Sequence, residues 1–86
     1  MIKPHYTLDE ACQFVGLGNE SIVQFIEREW LKPFEAFGPQ LDDEDLARIG
    51  LIRQLQDDFG VNAEGIDIIL HLIDEIHRLR AEIRRV

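Results

Sequence analysis

Four sets of side chains carry functional chemistry in principle. Asp67, His71 and Glu75 are spaced four apart, which on a helix stacks two carboxylates and an imidazole on one face as a metal site would require. Solvated i,i+4 pairing explains the same spacing without a metal, and His77 lies six residues from His71, off that face. Cys12 is the sole cysteine, and no histidine motif beside it would activate the thiol, so it fits a buried apolar role. Asp57 and Asp58 form a carboxylate pair in sequence only, because helix neighbours point about 100° apart. No phosphate-cradling glycine motif accompanies them. No catalytic constellation results, and neither an enzyme nor a cofactor nor a metal is expected.

The fourth set is electrostatic. The 86 residues hold 17 acids and 9 bases, for a net charge of -8. Residues 1–60 carry -7 of this and residues 61–86 carry -1. Nucleic-acid binding depends on Lys and Arg displacing counterions from phosphates, so DNA starts with a net repulsion. A basic partner is favoured instead. Glu20, Glu27, Glu29 and Glu35 are the leading candidates to meet it, followed by Asp42, Asp43 and Glu44, which also suit a helix start. Arg78, Arg80, Arg84 and Arg85 complement the negative end of a final helix; a nucleic-acid patch is the less favoured account of them.

The elements that position these groups are mostly helical. Thr7-Leu8-Asp9-Glu10 has the form of a capping box opening a short helix to about Val15, with Leu8, Ala11, Cys12 and Val15 inward. Gly16-Leu17-Gly18 breaks it. Asn19 is the expected cap of a second helix to about Glu29, with Ile22, Phe25 and Ile26 on one face. Two short helices joined by a tight turn make a helix-turn-helix. Lys32–Leu41, with Pro33, Gly38 and Pro39, predicts a loop or small β-wing. Asp42 caps a third helix with a buried stripe of Leu46, Ile49, Ile52, Leu55 and Phe59, ended by Gly60. Asn62 opens a last helix over 63–84. Ile66, Ile69, Ile73, Ile76 and Ile83 form one apolar line there, widened by Leu70, with Ile68, Leu72 and Leu79 beside it. Three short helices offer too little cover for that far end. A homodimer through Ile69, Leu72, Ile73, Ile76, Leu79 and Ile83 is expected, against the plainer alternative of a core helix.

Trp30, at the end of the second helix, is suited equally to an interface anchor or to core beneath the wing. Phe34 and Phe37 in the wing are expected in the core first, at an interface second. The single domain spans 1–86, divided into 1–41 (helix-turn-helix and wing) and 42–86 (helical pair). There is no signal-like apolar run and no membrane span, and the lone cysteine fits a reducing cytoplasm.

Tyr6-Thr7-Leu8-Asp9-Glu10-Ala11-Cys12, followed by Gly16, Ile22, Glu27-Arg28-Glu29, Leu31 and Pro33, resembles the N-terminal domain of MerR-type regulators. Asp45-Leu46-Ala47-Arg48-Ile49 and residues 55–61 fit that fold's second helical pair. The resemblance implies an all-α winged helix-turn-helix. Two departures stand out: Val23 occupies a position that usually carries arginine, and the wing segment 34–40 carries no base. With these departures, and over Asp43 to Ile83, the chain is similar to the chaperone-modulatory CbpM family. That resemblance implies an inhibitor of a DnaJ-like co-chaperone, binding its J-domain and masking it from a DnaK-type chaperone. A MerR-like DNA-binding regulator or nucleoid factor is the alternative.

Overall fold

A computed structural model describes residues 4–35 and 37–84. Four helices and one small hairpin follow in the order α1 (Leu8–Val15), α2 (Asn19–Glu27), β1 (Phe34–Glu35), β2 (Pro39–Gln40), α3 (Asp43–Asp57) and α4 (Ala63–Arg84). The all-α winged helix-turn-helix expected from sequence is the observed architecture.

Local chemistry explains the helix starts. At α1 the Glu10 N–H donates to Thr7 Oγ1 at 3.2 Å, while Thr7 N–H donates to Glu10 Oε1 at 3.0 Å. The predicted capping box is therefore closed. Asp42 and Asp45 build a second box at α3, with bonds of 2.9 and 3.0 Å. Asp43, Glu44 and Asp45 fill the first turn of α3, where the helix dipole favours anions. Asn62 Oδ1 accepts the Gly65 N–H at 2.8 Å and starts α4. A β-carbon at Gly65 would lie 2.6 Å from Val61 Cγ1 and 3.1 Å from Asn62 Oδ1, so a larger residue there would have to displace Val61 or the capping amide.

Asn19 behaves differently from expectation. Gly18 occupies the cap position of α2 without a side-chain bond. The Asn19 side chain instead accepts from Cys12 Sγ at 2.8 Å and donates to Asp9 Oδ1 at 3.1 Å. Its amide is spent on tying α2 to α1. Arg53 does the same for α3, donating from Nη1 to the Val15 carbonyl at 2.6 Å beside the left-handed Gly16. α2 also ends earlier than expected, at Glu27, because Glu29 turns into the left-handed region at φ 62°. That turn lets the Trp30 N–H reach the Phe25 carbonyl at 2.9 Å and sends the chain into the wing.

The hairpin pairs Phe34 with Gln40 and Glu35 with Pro39. Tyr6 adds a bridge to Leu41 through bonds of 2.6 and 2.9 Å, which anchors the N-terminal segment beside the wing.

Ala11, Ile22, Phe25, Trp30, Leu31, Leu41, Ile49, Ile52, Ile66 and Leu70 form the core. Leu46 and Leu55 pack against it, as the predicted α3 stripe requires, but Phe59 does not. α3 stops at Asp57, so Phe59 leaves the helical period and is 68% exposed. Val61 packs inward in its place. From α4 the core takes only Ile66 and Leu70, both in the first half of the helix. The rest of α4 projects. The radius of gyration is 13.8 Å, against about 12 Å for a compact chain of this length.

One ion pair locks α4 to α3 near the core. Arg48 holds Asp74 through two bonds of 2.6 and 3.1 Å and donates from Nε to the Trp30 carbonyl at 2.6 Å. The Arg48 hydrogen bond holds the Asp74 carboxyl below the usual carboxylate range, with added pull from His77 and Lys32. A carboxyl whose folded pKa is depressed contributes stability that is present above its unfolded pKa and lost as pH falls through the folded one. Asp74 is 54% exposed, so solvent screening limits the pair to about 1 kcal/mol or less. Urea titration should therefore find Asp74→Asn less stable than the parent at pH 7, with the gap closing below about pH 4. A gap that persists unchanged at pH 3 would show that the ion pair is not its source.

Candidate protein-binding surface

The exposed face of α2 is built by helical spacing. Glu20, Val23, Gln24 and Glu27 all reach solvent, and positions i, i+3, i+4 and i+7 share one side of a helix. This is the second helix of a helix-turn-helix, the one that would enter a DNA groove. It carries two carboxylates and no base. Glu29 continues the acidic surface past the helix end, and Glu35 lies exposed in β1. Among the described residues none of Glu20, Glu27, Glu29 and Glu35 takes part in an ion pair.

Several of the cations have partners of their own, while Lys32 stays exposed before the wing. The Arg28 guanidinium lies 5.3 Å from the Trp30 ring centroid. Arg48 is held by Asp74 and the Trp30 carbonyl, and Arg53 by the Val15 carbonyl and by Asp57 at 3.6 Å. Arg78 pairs with Glu75 at 2.9 Å and Glu82 at 2.7 Å along α4. A groove reader needs side chains that contact phosphates as well as base edges, and this face supplies carboxylates in their place.

Other sequence candidates find different places. Of its two expected roles Trp30 takes the core and not the interface: it is 3% exposed. Its ring lies 5.5 Å from that of Phe25, and its indole N–H donates to Asp67. The burial follows from the left-handed turn at Glu29, which swings Trp30 under the wing. Asp67 and Glu75, two members of the supposed metal triad, are thereby engaged with Trp30 and Arg78. Among the described residues no group of three or more His, Cys, Asp and Glu is arranged to hold a metal. Asp42 is half-buried and serves as the α3 cap. Asp43 accepts from the Tyr6 hydroxyl at 2.9 Å, and Glu44 is exposed. The partly buried Asp45 carboxyl is pushed up, chiefly by desolvation. Cys12 is partly buried, and desolvation pushes its thiol up, away from a reactive thiolate.

Phe34 and Phe37 overturn the expectation of core. They are 62% and 110% exposed. A hairpin with two-residue strands has no second layer to cover them, since Leu31 and Leu41 at its base supply the buried contacts.

A second apolar surface runs along α4. Ile69 and Ile73 are half-buried, while Leu72, Ile76, Leu79 and Ile83 are exposed. Residues 69, 72, 76, 79 and 83 recur with alternating steps of three and four, the spacing of a coiled-coil seam. Ile73 also lines a cleft of about 600 Å³ between α3 and α4, shared with Trp30, Leu51, Leu70 and the Arg48–Asp74 pair.

The model of the MerR HTH family of regulatory proteins matches residues 6–86. The chain belongs to this family. Comparison with curated proteins gave no significant match. MerR membership accounts for the order of the elements, helix-turn-helix, wing, then a helical pair, and it is a regulatory rather than an enzymatic family. Among the described residues no helix is long and apolar enough to cross a membrane. Within this framework the second helix of the helix-turn-helix carries two carboxylates and no base. The fold itself was legible in the spacing of caps, glycines and apolar residues. The exposure of the wing phenylalanines was not, because nothing local distinguishes a buried from an exposed Phe in a short hairpin.

Proposed function

We propose that this protein is a cytoplasmic, homodimeric modulator that binds the J-domain of a DnaJ-like co-chaperone and blocks access of a DnaK-type chaperone. The observation that carries this reading is the acidic α2 face, with Glu20, Glu27 and the adjoining Glu29 and Glu35 unpaired where a DNA reader presents bases. The resemblance of Asp43 to Ile83 to the CbpM family supplies the identity of the basic partner. Charges on the rim accelerate the encounter, and buried apolar contacts set its lifetime. Pairing of two α4 seams would hold two such faces in one particle.

Titration against a purified J-domain tests the reading. Binding should be seen below about 10 μM at low salt and weaken as ionic strength rises. Absence of binding up to tens of micromolar would sink it, on an affinity scale where about 8 kcal/mol corresponds to micromolar. The combined change Glu20→Lys, Glu27→Lys, Glu29→Lys should lower the association rate about tenfold or more. Unchanged affinity would move the interface off α2. The helix-turn-helix architecture sustains DNA regulation as a second reading. A mobility shift with genomic fragments that is sequence-specific and steeply salt-dependent would favour it over the first.

A further inference from the structure

We infer that the tip of the wing is an apolar anchor for a basic amphipathic helix of the partner, with Phe34 and Phe37 inserting between its Lys and Arg side chains. The inference rests on the J-domain reading above and assigns it a contact that the acidic face alone lacks.

Three observations support it. First, Phe37 stands wholly in solvent and Phe34 mostly so; Phe14 and Phe59 are exposed as well, but Phe34 and Phe37 lie together on one hairpin. A small domain rarely leaves two neighbouring aromatic rings uncovered on one hairpin unless something else covers them. Second, the Phe37 backbone sits in the left-handed region at φ 57°, followed by Gly38 at φ 106°. A bulky side chain seldom occupies that region, and such outliers concentrate at recognition sites where the surroundings hold them. The tip thus presents the ring outward through backbone geometry. Third, the chain around the hairpin is mostly acidic. After Lys32 the next basic residue is Arg48, and the stretch between them carries Glu35 in β1 and Asp42, Asp43, Glu44 and Asp45 at the start of α3. The wing's second ring is also steadied from below, since His5 lies 5.7 Å from Phe34, centroid to centroid.

Exposed rings in an acidic stretch of chain fit a helix with an apolar ridge between basic side chains. The rings take the ridge, and Lys or Arg stems lie over them while their charged ends meet the acids. Nucleic-acid bases would stack on the same rings, but the surrounding carboxylates repel the phosphates that accompany them. An anionic membrane meets the same objection.

The two mechanisms predict different kinetics. Anchors act on dissociation, rim charges on association. The full-length double variant Phe34→Ala, Phe37→Ala should keep the parent's thermal midpoint, because neither ring is in the core. Against a purified J-domain it should dissociate about ten- to a hundredfold faster, with an association rate within about threefold of the parent and an unchanged salt dependence. A parent chain that binds and a double variant that dissociates at the parental rate overturn this inference and leave the J-domain reading standing. A parent chain that does not bind overturns the J-domain reading itself. A double variant that loses association instead of residence time assigns the wing to steering and also overturns the anchor.

Discussion

Trp30→Ala should lower the thermal midpoint by about 15–30 °C and leave a domain with little residual stability at 37 °C. The ring is almost wholly buried, against Phe25, in a core that holds ten buried residues among those described. Truncating a buried Trp costs about 3–5 kcal/mol, the transfer of the lost surface plus the cavity left behind. A small domain has a total stability of roughly 5–10 kcal/mol, so this single change removes most of it. Trp30 also joins three elements: its N–H donates to Asp67 on α4, and its carbonyl accepts from Arg48 on α3. The backbone carbonyl survives the substitution, so the loss concentrates in packing and in the α4 contact. Trp30→Phe keeps most of the volume and removes only the indole donor. Because Asp67 is exposed, that variant should lose about 1–2 kcal/mol. Melting curves at fixed protein concentration separate the two, since association would otherwise shift the midpoint. An alanine variant melting within about 5 °C of the parent would remove Trp30 from the group that holds the core together.

Ile76→Asp should convert the dimer we propose into a monomer. Ile76 lies at the centre of the α4 seam and is 48% exposed in the single chain. The substitution therefore disturbs little inside one protomer. In a two-fold dimer it would place two carboxylates in the apolar interface, because every symmetric substitution counts twice. Burying even one unpaired charge costs several kcal/mol, so the dimer should weaken at least about a hundredfold. Sedimentation equilibrium at about 10 μM should show the parent as a dimer and the variant as a monomer of unchanged helicity, given the affinity scale of such interfaces. A parent chain that remains monomeric at tenfold higher concentration would exclude this use of the seam. So would a variant that still dimerises.

These two predictions fall on opposite sides of what sequence patterns can convey. Thr7 with Glu10 and Asp42 opening α3 were legible because a capping box is local: three residues separate donor from acceptor, and the helix itself supplies the geometry. Asn19 has the same chemistry as a cap, yet its amide bonds to Cys12 and Asp9. Which donor an Asn side chain meets depends on how α1 and α2 cross, and the order of residues does not encode that crossing directly. Phe59 obeys the α3 period on paper. The helix ended two residues before it, and the period then had no meaning.

The candidate surface divides in the same way. The absence of bases from segment 34–40 of the wing, and the two carboxylates on α2 that share a helical face, follow from residue identity and helical spacing alone. Charge survives folding unchanged, so its sign needed no structure. The fates of the aromatic side chains did need one. Trp30, Phe34 and Phe37 lie within eight residues of one another, and hydrophobicity ranks them alike. A left-handed turn at Glu29 carries the first into the core, and a left-handed Phe37 with its short hairpin leaves the other two outside. Sequence by itself determined the helices, the caps of α1, α3 and α4, the MerR-type order of elements and the acidity of the reading face, because each depends on neighbours a few residues away. Only the tertiary structure decided which apolar groups are enclosed and which remain for a partner, because burial is a property of how distant elements pack, and two left-handed backbone positions redirect the chain between them.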